Sequence, residues 1–147
     1  MRMMLDLNIL LDVVQRREPF YAASAEVLSQ ALETSNVGCL PGHALTTLHY
    51  IVAKYADQEQ ANSLVDWLLA HLEVVAQDRS QFLRARTLEI SDFEDAALAS
   101  AAEASGCELI VTRNVADFGS SPIPAVTPEE FLLTSAAERA TEEIPDE

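Results

Sequence analysis

Residues 109–118 read Leu-Ile-Val-Thr-Arg-Asn-Val-Ala-Asp-Phe, and this stretch decides the predicted fold. Its first three side chains are apolar and two of them are β-branched, which is typical of a strand buried on both faces of a parallel sheet. The polar residues that follow predict a turn that holds Asp117 just beyond the strand. Because parallel α/β folds collect functional residues outside the carboxyl ends of their strands, Asp117 is a candidate site residue.

Two further aspartates occupy comparable positions. The apolar run Met3–Leu5 predicts a strand that ends at Asp6, and apolar residues at helical spacing follow it. Asp95 comes after Ser91, whose spacing to a glutamate has the S-x-x-E pattern of a capping box and predicts a helix with Ser91 at the N-cap. Asp95 then lies in the first helical turn, where the helix dipole favours a carboxylate. We therefore expect Asp6, Asp95 and Asp117 to converge in one acidic pocket.

The rest of the chain alternates short apolar strands with amphipathic helices. This pattern predicts a single three-layer α/β/α domain over residues 1–137, with a mostly parallel sheet of about five short strands. A length of 147 residues fits one domain with a buried core. Residues 138–147 are acidic and carry few apolar side chains, so they are predicted to form a disordered tail.

The charge balance limits the kind of partner that the chain can hold. Nine Lys and Arg residues against 24 Asp and Glu residues give a net charge of -15, which argues against nucleic-acid binding through a broad basic surface. Arginines in short groups suit phosphate contacts, although such groups are also common on solvated helices. These arginines are Arg16, Arg17, Arg79, Arg84 and Arg86.

The two cysteines and the N-terminus give no sign of export. Cys39 and Cys107 lie in apolar segments without ligand-type spacing, which predicts buried free thiols in a reducing compartment. No signal peptide pattern and no apolar run of membrane-spanning length is present in the sequence. We expect a soluble, cytoplasmic protein.

Three neighbouring carboxylates need a cation. Two like charges about 4 Å apart repel by roughly 4 kcal/mol at an effective dielectric near 20, and a divalent ion reverses the sign of that energy. Carboxylate oxygens are hard ligands, so the expected ion is Mg²⁺ or Mn²⁺ held by Asp6, Asp95 and Asp117. Such a site supports hydrolysis of nucleic-acid phosphodiesters. Taken singly, each aspartate also has a local explanation as a cap, a first-turn residue or a turn residue.

Three other acidic residues are assigned structural roles. Asp12 lies inside a predicted helix, and first-turn electrostatics and capping account for Asp92 and Glu94.

Four segments, in this order and spacing along nearly the whole chain, resemble a PIN domain. They are Leu5–Asp12, Asp92–Ala97, Ile110–Phe118 and Val126–Phe131. The resemblance implies a Mg²⁺- or Mn²⁺-dependent ribonuclease fold, as in the toxins of VapBC-type toxin–antitoxin pairs. It also implies metal-binding catalytic acids and supporting side chains. The acids would be Asp6, Asp95 and Asp117, and the supporting residues would be Asn8, Thr112 and Asn114.

One position departs from the family pattern. Where the family usually has a glutamate, in a run resembling T-x-x-E-L-x-Y, this chain has Thr47. A neutral hydroxyl is a weak substitute for a carboxylate, so the site loses one formal negative charge. His43 lies four residues earlier on the same helix face and could serve as a ligand, a general base or an RNA contact. It could equally form only local hydrogen bonds near Pro41 and Gly42.

Three functions are compatible with these residues. The first is a divalent-metal-dependent endoribonuclease with an RNA substrate. For this function the family resemblance implies the toxin of a toxin–antitoxin pair, a homodimer and a cognate antitoxin. The second is a catalytically weakened PIN-fold module that binds RNA or a protein, because the glutamate is missing. The third is a phospho-acceptor receiver domain, which ranks low because the single lysine, Lys54, lies in a mid-chain helix.

Overall fold

The computed structural model describes residues 1–143, and its centre is one parallel sheet. Five strands pair in the order β3-β2-β1-β4-β5, and all four pairings are parallel. This confirms the predicted parallel sheet. The strands are β1 (Arg2–Leu5), β2 (Val37–Pro41), β3 (Glu73–Val75), β4 (Leu109–Val111) and β5 (Ala125–Val126).

Helices cover both faces of the sheet and produce the predicted three layers. Alternate residues of β1 point to opposite faces, so Met3 and Leu5 join one apolar cluster and Met4 joins the other. The first cluster packs against helices α1–α4 and α7, and the second packs against α5 and α6. The helices are α1 (Leu7–Val14), α2 (Tyr21–Ala31), α3 (Gly42–Tyr55), α4 (Gln58–His71), α5 (Arg79–Thr87), α6 (Phe93–Ala104) and α7 (Pro128–Glu142).

The topology brings four chain segments to one edge. Since all strands are parallel, the residues that follow β1, β2, β3 and β4 emerge on the same side of the sheet. These residues include Asp6, His43, Gln77 and Thr112. The strand order changes direction at β1, because β2 lies on one side of it and β4 on the other. A switch point of this kind opens a crevice at the carboxyl edge of an α/β sheet.

The C-terminal helix is longer than the sequence suggests. Thr127 caps α7 by accepting a hydrogen bond from the Glu130 N–H at 3.1 Å, and Pro128 occupies the first turn, as predicted. Residues 138–142, which the sequence assigns to the acidic tail, form the end of this helix. Within this extension Arg139 contacts the segment just after α2, since its Nη2 lies 2.7 and 2.8 Å from the Glu33 carboxylate oxygens. The rest of that tail, residues 144–147, lies outside the described residues.

Cys39 and Cys107 are both buried and unbridged, as predicted. Among residues 1–143, no helix combines the length and the apolar character needed to cross a bilayer.

A buried ion pair attaches the loop after β4 to α1. Asp12 is fully buried, and its carboxylate oxygens lie 2.9 Å from Arg113 Nε and 3.1 Å from Arg113 Nη2. Arg113 Nη2 donates a hydrogen bond to Asp12 Oδ1, and Ser24 Oγ donates another to Asp12 Oδ2 at 2.9 Å. The Arg113 guanidinium also lies over the Phe20 ring, 4.0 Å from its centroid. Asp12 therefore has the structural role that the sequence assigns to it, and it fixes the segment that precedes Asn114.

We expect Asp12→Ala to lower the free energy of unfolding by about 3 kcal/mol, because it leaves the Arg113 charge without its buried partner. Urea denaturation followed by circular dichroism measures this change. Glu103→Ala is the matched control, because it breaks an exposed pair with Arg84 at 3.0 Å that water screens, and it should change the stability much less. Equal losses in the two variants would show that the Asp12 pair does not stabilise the loop.

Candidate functional site

A cavity of about 230 Å³ opens at the carboxyl edge of the sheet. It brings together five of the sequence-predicted residues, which come from the loop after β1, the start of α3, the first turn of α6 and the loop after β4. They are Asp6, Asn8, His43, Asp95 and Asn114. We call this cavity the acidic pocket. A larger cavity of about 630 Å³, lined by residues such as Asn36, Phe131 and Arg139, contains none of the predicted residues.

Asp6 lies at the base of the acidic pocket and is only 6% exposed. Thr112 Oγ1 donates a hydrogen bond to Asp6 Oδ2 at 2.8 Å, and the same hydroxyl oxygen accepts the Asn114 N–H at 3.0 Å. Burial raises the pKa of Asp6, while hydrogen bonds from Thr112 and from the Leu7 and Asn8 backbone oppose the rise. Thr112 therefore holds one carboxylate oxygen of Asp6 in a fixed direction.

Asp95 reaches the pocket through the N-terminus of α6. The cap of this helix differs from the prediction: Asp92, one residue after Ser91, is the N-cap, and its Oδ1 accepts the Asp95 N–H at 2.9 Å. Because α6 begins at Phe93, Asp92 is the residue whose carboxylate faces the free amides of the first turn. Asp95 still lies in the first turn, as predicted.

Negative charge accumulates around Asp95. Burial and the charges of Asp6, Asp92, Asp117 and Glu94 raise the pKa of Asp95 to about 7. A shift of this size places the carboxyl near half ionisation at neutral pH. The clustered carboxylates of the pocket therefore favour the binding of a proton or a cation.

Asp117 lies at the margin of this arrangement. It belongs to the short 3-10 helix Val115–Phe118, is exposed, and donates its N–H to the Asn114 carbonyl at 3.0 Å. It does not line the acidic pocket, although its charge contributes to the raised pKa of Asp95. The structure therefore places Asp117 within electrostatic reach of Asp95 but outside the cavity itself.

Thr47 does not replace the missing glutamate in the acidic pocket. Its Oγ1 donates a hydrogen bond to the His43 carbonyl at 3.3 Å, one helical turn back, and the residue is absent from the pocket lining. The hydroxyl donates to its own helix backbone and carries no charge, so it supplies none of the negative charge that a glutamate would bring.

Sequence reasoning assigned Asp92 and Glu94 to helix capping alone, yet both also line the acidic pocket. The Asp-Phe-Glu-Asp run indicates this arrangement, because a helix whose first turn faces a pocket brings several first-turn side chains to it.

Gln77 is not identified as a site residue from the sequence. It follows β3, so the strand-end rule that selected Asp6 applies to it as well, and it hydrogen-bonds to His43.

The donor chemistry of the pocket fits a hard divalent cation. Asp6 and Asp95 line one cavity, and the raised pKa of Asp95 reflects burial and, beside it, negative charge that a cation would neutralise. Within residues 1–143, however, no three His, Cys, Asp or Glu side chains are arranged as a ready-made ion cage.

The raised pKa of Asp95 makes stability depend on pH. Its pKa in the folded chain lies above the value of about 3.9 in an unfolded chain, so the folded state loses stability as pH rises from about 4 to about 7. In metal-free buffer we expect Asp95→Asn to raise the free energy of unfolding by on the order of 2 kcal/mol at about pH 8, with little change at about pH 4.

Urea denaturation at the two pH values measures the effect of Asp95→Asn, and Asp66→Asn, which removes a carboxylate from the exposed face of α4, is the matched control. A destabilised Asp95→Asn variant at about pH 8 would contradict the repulsion that we describe.

Comparison with known proteins gives one family and a set of solved structures. A family model described as "PIN domain" matches residues 2–116. Among curated proteins, none is similar enough to this chain to count as a match.

Three solved structures illustrate the structural similarity. VapBC2 from Rickettsia felis, bound to a DNA fragment from its promoter, is 24% identical with a TM-score of 0.66, over 86% of this chain and 98% of that one. A toxin–antitoxin complex from Klebsiella pneumoniae is 21% identical with a TM-score of 0.65, over 85% and 96%. VapC20 of Mycobacterium tuberculosis, a sarcin-ricin loop cleaving toxin, is 11% identical with a TM-score of 0.60, over 74% and 86%. At these identities the similarity shows a shared fold.

Proposed function

The chain belongs to the PIN domain family, and from that premise we propose that it is a divalent-metal-dependent endoribonuclease that hydrolyses RNA phosphodiester bonds. The observation that carries the proposal is the convergence of Asp6 and Asp95 on one pocket, and the raised pKa of Asp95, caused by burial and nearby charges, supports it. Repulsion among carboxylates lowers the stability of the fold, so a structural role does not account for their clustering. Excess negative charge at a concave site instead indicates a function that uses a cation.

The residues that would hold Mg²⁺ or Mn²⁺ are Asp6 and Asp95, with Asp117 reaching them from the margin. When bound, such an ion supplies polarisation of a phosphate oxygen and activation of a water molecule. It would also give the polyanionic substrate a positive contact in a protein whose net charge is -15.

The remaining groups of the pocket orient the acids and the substrate. Thr112 donates to Asp6 at 2.8 Å and so directs its free oxygen into the pocket. Asn8 and Asn114 line the cavity with amides that can donate hydrogen bonds to phosphate oxygens. Arg113, by contrast, is engaged by Asp12 at 2.9 Å and stabilises the loop that carries Asn114.

The proposed biological setting is a toxin–antitoxin pair. Several solved structures that share this fold are complexes of a toxin with its antitoxin, including those from Rickettsia felis and Klebsiella pneumoniae. We extend to this chain a cognate antitoxin partner and a homodimeric state. An antitoxin side chain with positive charge would complement the acidic pocket.

A weakened module that binds RNA or a protein without cleaving it is the second candidate function. The position of Thr47 favours it, because the hydroxyl bonds the His43 carbonyl at 3.3 Å and adds no carboxylate to the pocket.

Cleavage of RNA by the purified chain separates the two candidates. We expect cleavage that requires Mg²⁺ or Mn²⁺ and stops on addition of a chelator, and we expect Asp6→Asn to lower its rate by at least roughly 100-fold, the scale on which loss of one charge-stabilising group acts. Asp66→Asn, purified in the same way, should retain the rate, which shows that loss of an exposed carboxylate alone does not lower it; residual cleavage in the Asp6→Asn preparation sets the limit on contaminating ribonucleases. A folded wild-type chain that binds RNA without cutting it with either ion would favour the weakened module, and equal rates in Asp6→Asn and wild type would contradict the assigned site.

A further inference from the structure

A hydrogen-bonded glutamine lies behind the acidic pocket and has no role in the function proposed above. Gln77 follows β3, and its Oε1 accepts the backbone N–H of His43 at 2.9 Å and lies 3.0 Å from His43 Nδ1. The other end of the same amide, Nε2, donates to the Ala97 carbonyl at 3.4 Å. Gln77 thus connects the start of α3 to α6, the two helices that supply His43 and Asp95.

These contacts fix which way the Gln77 amide points. A backbone N–H only donates and a backbone carbonyl only accepts, so Oε1 must face His43 and Nε2 must face Ala97. The same oxygen has no proton to offer to the His43 ring. The contact at 3.0 Å is therefore a hydrogen bond only when Nδ1 of His43 carries the proton.

The other ring nitrogen of His43 is on the pocket side. His43 lines the cavity together with Asp6 and Asp95, and its Nε2 lies 3.8 Å from Glu94 Oε1. With the proton on Nδ1, neutral His43 presents an unprotonated Nε2 to the pocket. Neutral Nε2 can accept a hydrogen bond without adding negative charge to the pocket. Another carboxylate at this place would add to the charges that, with burial, raise the pKa of Asp95.

We propose that Gln77 is a positioning residue that holds His43 in the Nδ1–H tautomer, so that Nε2 accepts a hydrogen bond from an O–H group of the reacting complex. This inference rests on the proposed nuclease function. The O–H donor is either the attacking water or the ribose 2′-hydroxyl of the RNA, since both can donate an O–H hydrogen bond to Nε2. Gln77 acts through His43 and does not itself face the cavity.

Nitrogen chemical shifts of the His43 ring test the tautomer directly, at a pH where the ring is neutral and without any need for activity. We expect the Nδ1–H form in the wild-type chain. Gln77→Ala removes the acceptor and should shift the ring toward the Nε2–H form that free imidazole favours. Gln77→Glu keeps an oxygen acceptor and should keep the Nδ1–H form, and Gln60→Ala, at an exposed glutamine of α4, should change nothing.

Steady-state cleavage of RNA tests the consequence. We expect Gln77→Ala to lower kcat on the order of tenfold with a smaller effect on KM, the scale seen when a residue that orients another is lost. Gln77→Glu should retain more of kcat than Gln77→Ala. A substrate with one 2′-deoxynucleotide at the cleaved position identifies the donor: the effect of Gln77→Ala disappears on it if the ribose hydroxyl donates, and persists if water donates.

Two results would overturn the inference: a wild-type His43 ring in the Nε2–H form, or a Gln77→Ala variant whose tautomer and kcat both match those of the wild type. Failure of the wild-type chain to cleave RNA would instead contradict the proposed function, and the ring tautomer would still decide whether Gln77 positions His43.

Discussion

Electrostatic repulsion among carboxylates at the carboxyl edge of the sheet constrains the whole candidate site. Asp6 and Asp95 share one cavity, where burial, together with the charges of Asp6 and the neighbouring acids, raises the pKa of Asp95 to about 7. A fold tolerates such crowding only if its scaffold is stable enough to bear the cost, or if a proton or a cation offsets it. The proposed metal-dependent chemistry follows from the second condition, because the same carboxylates that destabilise the free pocket are the ligands that a hard cation selects.

The scaffold supplies the stability through contacts that lie behind the pocket. Thr112 fixes Asp6 by a hydrogen bond of 2.8 Å, and the fully buried Asp12 fixes the neighbouring Arg113 at 2.9 Å. On the other side of the pocket, Gln77 joins His43 to the carbonyl of Ala97. Each contact ties a loop at a strand end to a helix, so the charged groups keep their positions despite their mutual repulsion.

Much of the fold could be predicted from the sequence, because the continuous apolar runs of β1 and β4 are local properties of the chain. Asp6 and Asp95 could be placed near each other because parallel strands share one carboxyl edge. What local patterns do not contain is the partner of each side chain. The pairing of Asp12 with Arg113 spans 101 residues, and that of Gln77 with His43 spans 34. The cap at Asp92 in place of Ser91 is instead a local contact with the Asp95 N–H, and the end of α7 carries one long-range contact, between Arg139 and Glu33.

A crystal structure determined with Mn²⁺, with the ion located by anomalous scattering, tests the central claim most directly. Our account predicts a strong anomalous peak in the acidic pocket, about 2 Å from carboxylate oxygens of both Asp6 and Asp95, with water completing the shell. A pocket that shows no peak at a saturating concentration of Mn²⁺, or a peak that contacts neither carboxylate, would contradict it.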